Sequence, residues 1–280
     1  MTERIRGYGA ALLVVAFVAG CDDKPSQPLA PTATALQTAE PAAVGAVRFV
    51  IDKASSKADF VMDAPKEKIR GRVPGAMTGE ATVDLSDLSK MTLNVDVDIS
   101  GLELFQRVMG DDGKLEEETK SDLQNEHARE WLEIGESAPD DARKKNSRAQ
   151  FVARKVDKVS AKDVTKLSGM QRKITGTVTG DFLLHGHKTE QTVDVEVTFS
   201  FDGDAPKSVE VRTTQPFRVD LAKHDVRPRT TFGKLAQKSL EQLAPKVAKE
   251  AEVSVAFTAN LAGDAARARS ASSSAAATAK

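Results

Sequence analysis

Four histidines, a single cysteine and a few acidic and hydroxyl clusters are the residues of this 280-residue chain whose types do chemistry. His185 and His187 form a His-x-His pair with Asp181 at the same strand parity, and His224-Asp225 lies further along. Imidazoles and a carboxylate so placed suit a metal, but a catalytic zinc needs a third protein ligand and an open position, which the pair alone does not supply. Alternation puts these side chains on the polar face or in the turn, away from an apolar interior, so no metal is expected. Ser55-Ser56-Lys57 has no nucleophile-elbow context, and no glycine-rich phosphate loop precedes a helix. Asp111-Asp112 and Glu116-Glu117-Glu118 lack the spacing of a calcium loop. The expectation is a protein without a catalytic centre or a cofactor.

With one cysteine, neither an intrachain disulfide nor a cysteine-rich zinc site can form. Arg4 and Arg6 precede an apolar run from Ala10 to Ala19 that ends in Gly20-Cys21. That is the layout of a secretory signal, and the run is shorter than the ~20 residues that span a bilayer. Val18-Ala19-Gly20-Cys21 resembles a bacterial lipobox. The resemblance implies removal of 1–20 and acylation of the Cys21 thiol, giving an exported protein of the cell envelope or periplasm, lipid-anchored to a membrane. An ordinary signal peptide with a coincidental cysteine is the alternative.

The remaining elements follow from composition and period. Residues 21–45, with Pro25, Pro28, Pro31 and Pro41, lack the side chains of a core and read as an extended tether. At ~3.1 Å per residue such a segment holds a domain clear of the lipid headgroups. The Ala/Ser-rich stretch 263–280 reads as a disordered tail, leaving 46–262 as the folded domain. Lys and Arg total 40 against 41 Asp and Glu, a net charge of -1. No basic excess exists to neutralise phosphates, so nucleic acid is excluded as a partner.

Within the domain the dominant period is two. Val193, Val195, Val197, Phe199 and Phe201 alternate with Asp194, Glu196, Thr198 and Ser200. Leu93, Val95, Val97 and Ile99 alternate with polar neighbours, and Ile174, Val178, Phe182 and Leu184 share one parity. Such alternation places one face on an apolar interior and the other in water, whereas a helix-covered parallel sheet reads as continuous apolar runs. The fold class is therefore all-β, an antiparallel barrel or sandwich of about eight strands. Two regions break the pattern. Ser121 through Glu133 has capping-box spacing and helical period, with Leu123, His127, Trp131 and Ile134 on one face. Residues 233–250 suggest a second short helix interrupted at Pro245. Both suit a lid on a barrel mouth as well as plain packing.

Ile51-Asp52 with Ala54 to Phe60, Arg70-Gly71-Arg72-Val73, Gly79 to Asp84 and His127 to Ile134 resemble, in order, segments of the YceI-like domains. So, most specifically, does Val178 to Gly186 followed by Thr192 to Glu196. These domains are lipocalin-like β-barrels of exported bacterial proteins. The chain departs from them at His187 and Glu190, in a longer and more basic 136–148, and in a longer 233–250. The resemblance implies an apolar lipid ligand, polyisoprenoid or isoprenoid-quinone-like, inside the barrel.

The residues give a separate case. An isoprenoid chain leaving lipid for water loses about 0.8 kcal/mol per CH₂, so crossing an aqueous space requires a dry container. The inward parity of Phe49, Ile51, Phe60, Met62, Leu93, Val95, Val97, Phe182, Leu184, Val195, Val197 and Phe199 supplies candidate walls. Gly176 and Gly180 in the same phase remove side-chain volume. Against this, small eight-stranded barrels are also filled by their own side chains, and strand glycines also mark bends. Two functions are consistent with the sequence: a membrane-tethered binding or transport protein for an apolar lipid, and a ligand-free structural or interaction lipoprotein of the envelope.

Overall fold

The computed structural model describes residues 28–38, 46–120, 122–227 and 248–263. In chain order its strands are β1 (Val47–Ile51), β2 (Lys57–Ala64), β3 (Glu67–Pro74), β4 (Met77–Val83), β5 (Thr92–Asp98), β6 (Glu103–Val108) and β7 (Thr119–Lys120). After two helices, α1 (Asp122–Trp131) and α2 (Asp140–Asn146), come β8 (Arg148–Asp157), β9 (Gln171–Leu184), β10 (His187–Asp202), β11 (Ala205–Thr213), β12 (Phe217–Asp220) and β13 (Glu250–Leu261). All pairings between these strands are antiparallel. Eight strands close a barrel in the order β1-β4-β5-β8-β9-β10-β11-β13, with β13 returning to β1.

Closure depends on a fork in β13. Its C-terminal half pairs with β1 (Phe49 opposite Leu261, Ile51 opposite Ala259), and its N-terminal half with β2 (Val255 opposite Ala58, Glu252 opposite Val61). Asp52 makes the break between β1 and β2, its carboxylate accepting from the Ala54 amide. β2, β3, β6 and β7 therefore flare away from the closed ring at one end. The α1 helix fills the gap: Asn125 accepts from the Leu104 amide at 2.9 Å and donates to the Leu104 carbonyl at 3.2 Å. A buried side-chain amide thus replaces a missing strand at the β6 edge.

Turn chemistry recurs at Asp84-x-Ser86, Asp87-x-Ser89, Asp98-x-Ser100 and Asp163-x-Thr165. Each carboxylate accepts from the backbone amide and the hydroxyl two residues on, the local bonding that favours Asp and Ser in turns. The hydroxyl bond is the main reason these four carboxyls titrate below their ordinary range. At the end far from α1, the loop after β4 and the loop after β8 close on each other. Leu88 donates to the Lys162 carbonyl and Val164 to the Leu85 carbonyl, and Leu88 and Val164 are buried.

Several expectations change. The first helix runs from Asp122, and Ser121 lies outside the described residues. Leu123 does not share the inward face but is exposed; that face is Gln124, His127, Ala128 and Trp131, one turn-spaced stripe. Glu133, at φ 53°, ends the helix, with Ile134 donating to Arg129. The stretch 136–148, expected as a link, contains α2. The proposed helix across 233–250 and the 263–280 tail lie almost wholly outside the described residues.

Residues 28–38, within the expected tether, lie along the barrel wall. Ala30 donates to Lys223, Ala33 to Gly186, and Lys188 to Pro31, each backbone to backbone. Thr32 bridges His187, Leu36 donates to Gln150 Oε1 at 3.0 Å, and Arg154 reaches the Gln37 carbonyl. The sequence shows too few apolar residues for a core here, but a strap held by backbone hydrogen bonds does not need them.

Candidate functional site

The barrel encloses a cavity of about 280 Å³. Of the twelve residues expected to face the interior, Phe60, Met62, Leu93, Val95, Val97, Phe182, Leu184, Val195, Val197 and Phe199 line it. Phe49 and Ile51 do not. They are buried, and Phe49 packs edge-on against Phe199 with ring centroids 6.4 Å apart. The parity of β1 is inward, but its side chains are used up in packing where β1, β13 and β4 converge. Gly176 lines the cavity, whereas Gly180 has a different role. A Cβ there would stand 2.4 Å from the Val152 carbonyl oxygen, so Gly180 lets β8 approach β9 at the irregular register near Ala153 and Lys155.

Much of the wall was not foreseen. Met77, Leu88, Met91 and Leu102 contribute from strand ends and short turns, and Phe217, Val219 and Val226 from the segment after β11. The i, i+4 spacing of His127 and Trp131 was the available signal for α1. Their rings are parallel within 3°, centroids 6.3 Å apart. Polar side chains enter the lining from α1, through Gln124 and His127, and from the strands, through Gln150 and Thr213. Gln124 donates to Glu67 at 3.2 Å. Burial raises the Glu67 carboxyl above its ordinary range, and the nearby His127 offsets part of that.

Three histidines expected on a solvated face are instead buried at the α1 end. His224 Nδ1 lies 3.2 Å from the Leu184 carbonyl and 3.0 Å from that of His187. Carbonyls only accept, so Nδ1 carries the hydrogen, and Nε2 accepts from the Thr189 hydroxyl at 3.2 Å. Burial is the main cause lowering the His224 pKa, keeping this ring neutral, with the two carbonyls opposing. His185 spans the His224 carbonyl (3.1 Å) and Glu133 Oε2 (3.2 Å), and His187 donates to the Ala30 carbonyl at 2.7 Å. The reason for the burial is tertiary: Glu133 after α1 and the turn after β12 cover His185, and the strap covers His187, which stands opposite the cavity-lining Leu184 at the inward parity of β10. Five of the six ring nitrogens hold this clamp together. The clamp touches the cavity wall, for the Phe182 ring meets His224 edge-on at 5.4 Å.

A closed antiparallel barrel around an apolar chamber, with a helix at one end, defines a hollow β-barrel of the lipocalin-like kind. The chain matches the YceI-like domain over residues 49–259 and belongs to that family. Among solved structures it is similar to a polyisoprenoid binding domain from Saccharophagus degradans implicated in plant cell wall breakdown. That domain is 14% identical with a TM-score of 0.47, the match covering 77% of this chain and 99% of the other. It is also similar to BcnA of Burkholderia cenocepacia, 16% identical with a TM-score of 0.41, over 74% and 98% of the two chains. No curated protein matches the chain.

Proposed function

We propose that this protein binds one apolar lipid chain, polyisoprenoid or isoprenoid-quinone-like, inside its barrel and shields it from water. The cavity of about 280 Å³ with apolar walls carries this reading; a barrel filled by its own side chains would leave no such space. Its volume lies just below the ~300–1,000 Å³ typical of small-molecule sites, which favours a slender chain over a bulky ring system. Each CH₂ moved from water into the cavity contributes about 0.8 kcal/mol, so a few isoprene units suffice for retention. Met62, Met77 and Met91 in the wall supply flexible surface that adapts to an irregular chain.

The same proposal places the protein in the envelope of an exporting bacterium, cleaved before Cys21 and anchored to a membrane through acyl groups on that thiol. The lipobox-like Val18-Ala19-Gly20-Cys21 supports it. The test of binding is organic extraction and native mass spectrometry of the chain from residue 22 onward, before and after incubation with prenyl lipids. One lipid per protein is expected. A barrel that stays empty and excludes prenyl chains would defeat the proposal.

A further inference from the structure

We propose that the α1 end of the barrel is a membrane-docking face that rests on a zwitterionic bilayer surface. This builds on the tethered-carrier reading by naming the surface the tether serves.

The first observation is the strap. Ala30 and Ala33 are hydrogen-bonded to Lys223 and Gly186 at the α1 end, so the described residues nearest to Cys21 sit there. Only residues 22–27 separate Cys21 from the first described residue, Pro28. At most ~3.6 Å per residue, that leash reaches about 25 Å. An acyl group on Cys21 therefore brings this end to the bilayer and keeps the opposite end away.

The second observation is the distribution of exposed apolar side chains. Among the described residues five large ones are exposed: Leu29, Val108, Met109, Leu123 and Met170. The first four lie at the α1 end. Leu29 adjoins the Ala30–Lys223 contact, Met109 donates to the Lys66 carbonyl in the β2–β3 turn, and Val108 pairs with Glu67. Leu123 precedes Gln124, which bonds Glu67. Met170 lies beside the far-end Phe201, whose amide it accepts. Charge at this end is mixed, the acidic loop Asp111-Asp112 through Glu116-Glu117 standing with the basic Arg143, Lys144 and Lys145 of α2, so contact is by apolar insertion rather than net charge. The far end is shut by the Leu88 and Val164 loops, whereas α1 sends Leu123 outward and His127 and Trp131 into the cavity wall. Docking puts the helix that walls the cavity against the lipid source.

The test couples the chain from Cys21 onward, without acyl groups, through its lone thiol to phosphatidylcholine vesicles carrying a maleimide lipid. Variants Leu123→Trp, Met109→Trp and Met170→Trp are compared with the parent, whose Trp131 is the baseline, using brominated phosphatidylcholine as quencher. Quenching above the parent is expected for L123W and M109W and not for M170W. In L123W, adding Met109→Asp and Val108→Asp is expected to lower the quenched fraction roughly tenfold, the loss of two apolar contacts. Equal quenching at 170, or none at any position, overturns the proposal. So does shielding of L123W from acrylamide before coupling, or a dimer that buries it, since another part of the chain or a second copy then owns the face. Because coupling supplies the tether artificially, unacylated Cys21 in cells would remove the tether reading and leave the docking face. Acylated Cys21 without quenching would do the reverse.

Discussion

The imidazole of His187 donates from Nδ1 to the carbonyl oxygen of Ala30 at 2.7 Å, joining residues 157 positions apart and making the strap part of the barrel wall. One bond of this kind contributes about 1 kcal/mol net. The strap therefore depends on several acting together: Ala30, Ala33 and Lys188 through the backbone, His187 and Gln150 through side chains.

Ala33→Pro removes the amide that Gly186 accepts. Its expected effect is faster proteolytic cleavage within residues 28–38, while the unfolding free energy of the barrel changes by about 1 kcal/mol or less. Limited proteolysis followed by mass mapping checks this, and cleavage at the parental rate would show the strap is held by other means.

His224 titrates below its ordinary 6.5 because burial disfavours the charged ring. The unfolded chain therefore binds the proton first on acidification, and stability rises with pH wherever it does. This contribution is complete above pH 6.5, declines below it, and is lost as pH falls through the lowered folded value. Thermal melts of the parent should lose midpoint below pH 6.5. His224→Asn, which keeps a donor near the Leu184 and His187 carbonyls but cannot titrate, should show a shallower decline.

Val195 lines the cavity opposite Gly176 on the neighbouring strand. Val195→Trp fills that space. Bound or added prenyl lipid should fall at least about tenfold, with an overpacking cost of about 1–3 kcal/mol. Native mass spectrometry and circular dichroism together separate a blocked barrel from an unfolded one, and undiminished binding would place the ligand elsewhere.

The two strand glycines should behave differently. Gly180→Ala drives a Cβ to 2.4 Å from a backbone oxygen, while in Gly176→Ala the nearest atom is Val159 Cγ1 at 3.2 Å. Urea unfolding should show the first destabilised by about 2 kcal/mol or more and the second by less than about 1 kcal/mol.

These contrasts show what the sequence makes legible. The barrel is readable because each strand reports its own inner face: Val195, Val197 and Leu93 alternate with polar neighbours and point inward. The histidine clamp is not readable, because what covers His185 and His187 comes from Glu133, Ala30 and His224, far away along the chain. Phe49 has the right parity and lies outside the cavity, since alternation specifies a side of the sheet and says nothing of where the barrel narrows. Leu123 lies one position off the His127 and Trp131 stripe, which continues through the polar Gln124 instead of the leucine. Gly180 and Gly176 look alike in sequence, and only the register irregularity in β8 tells them apart.

The pairing of Phe49 with Leu261 and of Ile51 with Ala259 joins the first strand of the domain to its last. A polypeptide made from its N-terminus must therefore wait for almost the whole domain before the ring can shut, a long-range closure of the kind that makes β-rich chains slow to fold. Until then β1 and β2 lack their common partner, and the apolar faces destined for the interior stay uncovered. A ribosome-stalled or truncated chain ending before residue 250 would thus be an open, sticky sheet, and the chamber comes into being only as the dozen residues of β13 arrive.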